Sequence, residues 1–337
     1  MSFFKTFFNL LKKAYISWNR NEPYARSATI AYYTLFSLPS LLIIVVTIAS
    51  YFFDQEKVQV RITSEIGEFI GQDSAKAIEA IVSNAAVSDD STWALIFGIA
   101  LLLFGATGVF FQLKMAMNNI WNVAAKKSTY MQMILDRVIS FGMVLVIGLL
   151  LLVSMVISAV LAVLRDHIEN FAPGITGFMV DLANFLISFV IVTTLFASIF
   201  KLLPDIKIRW RITYLGAALT TLLFLLGENL LGFYFGKSEP ASVYGGASSV
   251  VLILLWVYYT CLILFFGAEF TVQYALYRNE KVVPNKFGEP AIYQEMEKLE
   301  QKRVQLQEEK EIVDTLKSNL DLPDEKKNPE EEDSAEK

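Results

Sequence analysis

YGGASSVVLILLWVYYTCLILFFGAEF, residues 244–270, decides the fold. From Ala247 to Ala268 it contains no charged residue. At about 1.5 Å per helical residue, such a run crosses the roughly 30 Å hydrocarbon core of a bilayer. Outward from it, five more apolar stretches lie between polar segments, so the six expected spans are 31–53, 92–112, 138–164, 182–203, 212–235 and 247–276. The bulk composition fits. The 337 residues are 54% hydrophobic and 19% charged, with a mean hydropathy of +0.45. A soluble chain would carry about 25% charged residues and would disperse its apolar ones. The expected fold class is therefore all-α: a polytopic membrane helical bundle with six transmembrane helices. A signal peptide is not the reading of the N-terminus, because no small-residue cleavage site follows a short apolar core.

Basic residues orient the spans. Lys5, Lys12, Lys13, Arg20 and Arg26 precede the first span; Lys114, Lys126, Lys127 and Arg137 follow the second; Lys201, Lys207, Arg209 and Arg211 follow the fourth. The segments after the third and fifth spans hold only Arg165 and Lys237, and the first long loop has three bases against eight acids. By the positive-inside rule both termini are expected in the cytoplasm. Those basic residues then need no nucleic-acid partner to explain them.

Three segments are expected outside the bilayer. In residues 1–30, Phe4, Phe7, Phe8, Leu11, Tyr15 and Trp18 share a helical face opposite Lys5, Asn9, Lys12 and Lys13. This amphipathic helix either lies on anionic membrane lipids or packs on the ends of the bundle. The loop 54–91 repeats apolar residues at helical spacing and reads as an external helical cap or gate. The six-span domain runs 31–283. From Pro284 the tail holds nine Lys/Arg against sixteen Asp/Glu, so the pI of 5.2 belongs to it rather than to the membrane body. Ile292, Leu299, Leu306, Val313 and Leu320 repeat every seven residues in this tail, but the second seam is mostly charged. A charged, solvated C-terminal helix with a weak pairing stripe, able to dock a protein partner, is expected over 284–337, disordered from about Pro323.

Ionisable residues inside spans are costly and are candidate sites by default. Glu228, with Asn229 beside it and Gly227 and Gly232 around it, is either a protonatable or cation-binding carboxylate facing a polar cavity, or a structural hydrogen bond to another helix. Tyr258, Tyr259 and Trp256 lie mid-span and need polar partners or a wet cavity. Glu269 falls near the cytoplasmic interface, where a Lys or Arg from the loops is the expected partner. Asp136, Arg137 and Asp181 sit at span ends. Pro39 lacks an N–H and should kink the first span. His167 lies in an external loop. One histidine and one cysteine (Cys261) exclude multi-His metal sites and an internal disulfide. No phosphate loop, dinucleotide fingerprint, zinc motif or nucleophile elbow is present, so no catalytic residue, metal or cofactor is expected.

Four segments together carry a resemblance: AYYTLFSLPSLLIIVV (31–46), FGATGVFFQLKMAMNNIW (104–121), LLPDIKIRWR with GAALTTLLF (202–224), and the stretch 244–270. Their order and spacing resemble the YihY/virulence factor BrkB family of bacterial inner-membrane proteins, over roughly residues 20–281. The matching positions are Tyr32, Tyr33, Pro39, Asn118, Asn119, Pro204, Gly245, Trp256, Gly267 and Glu269. The resemblance implies no catalytic role for any of them. Some members once bore a ribonuclease label; this sequence has neither a metal-binding acidic constellation nor an RNA-binding module. The functional expectation is a transporter or flippase-like protein for an amphiphilic or lipid-like solute, not an enzyme. The alternative is a membrane scaffold acting through the outer loop and the tail.

Overall fold

The computed structural model describes residues 2–50, 108–126, 176–238 and 248–319. The expected span 138–164, most of 92–112, the loop 54–91, His167, Asp136, Arg137, Gly245 and the tail beyond Asn319 lie outside the described residues. The elements are α1 (Ser2–Arg20), α2 (Pro23–Ser50), α3 (108–120), β1 (Val123–Ala125), α4 (Thr176–Leu202), β2 (Ile206–Lys207), α5 (Trp210–Ser238), α6 (Ser248–Tyr277), β3 (Val283–Pro284), β4 (Gly288–Pro290) and α7 (Ala291–Asn319). They divide into two units, Met1–Glu289 and Pro290–Lys337.

Three described helices are long and apolar enough to cross a membrane: Phe185–Leu202, Trp210–Glu228 and Val250–Tyr277. They correspond to the fourth, fifth and sixth expected spans. The first expected span lies in α2, which starts at Pro23 and runs unbroken past Pro39 to Ser50. The helix expected to end at residue 112 continues to 120, so Lys114, Asn118 and Asn119 are helical residues rather than loop residues. Among the described residues, three of the six expected spans are seen.

Local chemistry explains the helix ends. Asn21 and Glu22 alone join α1 to α2: Glu22 takes a positive φ of 52° and Pro23 occupies the first turn of α2, where a missing N–H costs nothing. α6 stops at Asn279 (φ 50°), whose N–H donates to the Leu276 carbonyl while the Glu280 N–H donates to Ala275. Those paired bonds satisfy carbonyls that the helix would leave open, and asparagine tolerates the left-handed conformation they need.

Within the bundle, α5 and α6 run antiparallel in backbone contact. A Cβ on Gly216 would lie 1.8 Å from Thr271 Oγ1, and one on Gly267 would lie 1.8 Å from Thr220 Oγ1. Each helix thus offers a Gly-x-x-x-Thr notch to the threonine of the other. Both hydroxyls are satisfied at home: Thr220 donates to the Gly216 carbonyl at 2.8 Å and Thr271 to Gly267 at 2.7 Å. Small residues that let backbones approach replace a hydrophobic drive that lipid cannot supply. On the other side of α5, Thr193 of α4 donates to Thr221 at 3.0 Å, and Phe196, Phe224 and Trp256 stack edge to face across all three helices. The core continues through Met117, Phe200, Leu264, Phe265 and Ala268 toward the end of the bundle where α1 lies.

α1 rests on α6. Leu10 and Ala14 bury against Phe270, the Phe7 and Phe270 rings meet at 5.8 Å, and the Trp18 indole N–H donates to the Leu262 carbonyl at 3.2 Å. Of the two expected settings for this helix, packing on the bundle is the one described. In the second unit, α7 exposes Ile292, Leu299, Leu306 and Val313, the seven-residue stripe of the sequence.

The Gly–Thr notches predict coupled substitutions. Gly267→Ala should destabilise the solubilised protein by about 1–3 kcal/mol through overpacking. Gly267→Ala with Thr220→Ala should recover part of that loss, because the second change removes Oγ1 and Cγ2, while the Thr220 Cβ, 2.8 Å from the new methyl, stays. Thermal unfolding of the two variants beside Thr220→Ala alone measures the coupling; strict additivity would contradict the packing described.

Candidate functional site

Two polar groupings stand out in the first unit, at different levels of the bundle. The first is at the α1 end. Residues 203–209, between α4 and α5, carry one acid among bases, Asp205, and it is buried. Its backbone N–H donates to Asn118 Oδ1 at 2.8 Å while Asn118 Nδ2 donates to Asp205 Oδ2 at 3.0 Å. Lys114 Nζ lies 3.1 Å from the same oxygen. The N–H of Asn285 donates to the Asp205 carbonyl at 2.9 Å, and its side-chain amide to Oδ1 at 3.4 Å. Asn285 Oδ1 in turn accepts from the N–H groups of Phe287 and Gly288, forming the turn that leads into β4.

Every polar atom of Asp205 therefore has a partner, which is what burial of a charged residue demands. Strand pairing ties the same segments: β2 pairs antiparallel with β3 through Ile206–Pro284 and Lys207–Val283, β1 pairs with β4, and the Lys126 N–H donates to the Phe287 carbonyl at 2.9 Å. Arg209 and Glu280 add an ion pair at 3.1 Å.

Glu269 sits close by in α6 and is 0% exposed. Its partner corrects the sequence expectation of a Lys or Arg. The Asn21 side-chain amide donates to Oε1, and Oε2 has no partner among the described residues. The physical reason is where α1 ends. Its last turn lies over α6, so a short amide reaches the carboxyl group, while Arg26 is engaged elsewhere. Arg26 Nε donates to the Asn21 carbonyl at 3.0 Å, and with the Asn119 amide turned so that its oxygen faces Arg26, the guanidinium donates to it at 2.6 and 3.3 Å.

The second grouping is around Glu228. The antiparallel register that faces Gly216 with Thr271 puts Gly227 against the Tyr259 ring, and a Cβ on Gly227 would lie 2.2 Å from the Tyr259 hydroxyl oxygen. Glu228 is next in sequence and partly exposed, and no hydrogen bond or ion pair joins it to another described residue. Neither Tyr258 nor Tyr259 bonds to it among the described residues. The Asn229 side chain lies outside the described part, as do those of Pro39 and Asp181. Trp256 is in the aromatic stack with Phe224, rings 6.1 Å apart. Glu228 and Glu269 are not brought together: on the register of the two helices, Glu228 is level with Tyr259, about 15 Å along α6 from Glu269.

Of the positions that carried the resemblance, Asn118, Asn119, Pro204 and Glu269 fall at the α1 end, in or near the Asp205 grouping, while Gly267 lies in the notch against Thr220. Tyr33 packs against Gly108, and Tyr32 is exposed with its ring against Phe36. Asp205, Lys114, Asn285, Asn21 and Arg26 were not singled out from sequence. The signal for Asp205 was the single acid inside LLPDIKIRWR. For the others there was none, because each matters only through a partner far along the chain. Among the described residues no group of three His, Cys, Asp or Glu could hold a metal ion.

The sequence profile of the Virulence factor BrkB family matches residues 14–288. Relatives are called UPF0761 membrane proteins. One from Pseudoalteromonas translucida is 25% identical over 72% of this chain and 78% of its own length. One from Pseudoalteromonas atlantica is 26% identical over 76% and 82%. One from Albidiferax ferrireducens is 28% identical over 51% of this chain, which spans only 39% of that relative's length. No solved structure matches the chain.

The Asp205 grouping predicts a stability defect. Asp205→Ala removes the acceptor for the partly exposed Lys114 and for the Asn118 and Asn285 amides and should cost about 3 kcal/mol. Asp205→Asn, which keeps the shape and one acceptor, should cost less. Urea-dependent unfolding in detergent, followed by proteolysis between residues 203 and 210, checks the order.

Proposed function

We propose, from the premise that the chain belongs to the virulence factor BrkB family, that it moves an amphiphilic or lipid-like solute across the bacterial inner membrane. The proposal takes the protein to have six spans with both termini in the cytoplasm. The observation that carries it is Glu228: a carboxyl group on an apolar helix, partly exposed and without a bonded partner among the described residues, beside the close approach of Gly227 to Tyr259. A carboxyl group that only stitched helices together would have a neighbour to bond, as Asp205 does. One left open in a span is suited to a proton, a cation or the polar head of an amphiphile. The tyrosine ring beside it offers an apolar body with a hydroxyl tip, which suits a solute with both characters.

A second reading has its own observation. The exposed stripe Ile292, Leu299, Leu306 and Val313 on α7 favours a membrane scaffold that recruits a protein through its tail. No enzyme reading has comparable support, since neither grouping contains a nucleophile held by a base.

Reconstitution separates these readings. Full-length protein in vesicles should accelerate exchange of a fluorescent phospholipid between leaflets, and Glu228→Gln should slow that exchange at least about tenfold. Removal of residues 290–337 should leave the rate within about twofold. No acceleration by the intact chain, or an unaffected Glu228→Gln, overturns the transport reading.

A further inference from the structure

α1 divides into three strips. One strip, with Phe7, Leu10, Ala14 and Trp18, is packed on α6. The next, advancing around the helix, contains Phe4, Phe8 and Tyr15; Phe8 is 72% exposed and Tyr15 56%. The third carries Lys5, Lys12, Lys13 and Arg20, and no acidic residue occurs anywhere in α1. Such an exposed aromatic strip, bordered by four positive charges with no acid on the same helix, has no reason to face water.

The setting of α1 on α6 says what faces it. From Phe7 to Asn21 the helix axis advances about 21 Å, yet the two ends meet α6 at one level, Phe7 at Phe270 and Asn21 at Glu269. α1 therefore lies across α6 rather than alongside it. That level is seven residues, about 10 Å, short of the end of the apolar run Val250–Tyr277, on the side that leads to Arg278, and the Trp18 indole reaches further in, to Leu262. That run is about 42 Å long, so a hydrocarbon core of roughly 30 Å centred on it places Phe270 and Glu269 about 5 Å inside one boundary, the depth of an interfacial helix.

We propose that α1 is an interfacial anchor for anionic phospholipid: Phe8 and Tyr15 enter the acyl region while Lys5, Lys12, Lys13 and Arg20 bind phosphate and carboxyl groups of the leaflet. Each strip then has its complement, protein for the first, hydrocarbon for the second and headgroups for the third. The anchor does not depend on Glu228 or on transport.

The test uses the full chain. Purified protein in detergent, offered equal phosphatidylglycerol and phosphatidylcholine, is examined by native mass spectrometry for retained lipid. Wild type should retain the anionic lipid in preference by about tenfold. Lys5→Gln with Lys12→Gln and Lys13→Gln should bring the ratio near one, whereas Lys207→Gln with Arg211→Gln should leave it unchanged. In vesicles, a fluorophore on Phe8→Cys should be quenched by a nitroxide on the upper acyl chain and not by aqueous iodide. Equal retention by wild type, an unchanged ratio in the triple variant, or quenching by iodide overturns the proposal. So does a probe shielded from both quenchers, which would assign the strip to a protein partner or a second copy.

Discussion

The touching backbones of α5 and α6 are the constraint from which the rest of the first unit follows. Lipid gives two helices no solvent-driven reason to associate, so they must gain by contact. The crossed notches, Gly216 with Thr271 and Gly267 with Thr220, supply that contact and fix the register at once. That register sets Tyr259 against Gly227 and stacks Trp256 on Phe224. It also aims the following turns of α6 at α1, with Phe270 and Glu269 meeting Phe7 and Asn21.

Two carboxyl groups show how differently a membrane protein of this family can treat the same functional group. Asp205 is buried and saturated, with partners drawn from α3 and from the segment after α6. Its role is to hold chain segments together where the spans end. Glu228 lies on an apolar helix with no such partners among the described residues. Saturation makes the first group a fastener; the second makes no such bond to any described residue.

Much of the architecture was legible in the sequence because lipid imposes long apolar runs. The spans of α4, α5 and α6 were each marked by such a run, and α1 by its amphipathic spacing. The partners were not legible. Gly-x-x-x-Thr occurs twice, at 216–220 and 267–271, but nothing in one dimension says that each faces the other. Glu269 was expected to meet a cation because cations crowd the nearby loops; only the placement of α1 shows that an amide from Asn21 reaches it first. Asp205 looked like one acid among many bases until Asn118 and Asn285, 87 and 80 residues away, closed around it.

That last distance has a consequence for how the molecule is assembled. A chain is made from its N-terminus, and Asp205 emerges after Lys114 and Asn118 but well before Asn285. Until the residues beyond α6 appear, the Asp205 carbonyl and Oδ1 lack their final donors, and β2 lacks its partner strand. Residues 283–288 therefore act as a closing stitch. The helices can enter the membrane in order, and Lys114 and Asn118 of α3 can meet Asp205 as it appears, but its carbonyl, its Oδ1 and the edge of β2 are closed only once the chain has turned back after α6.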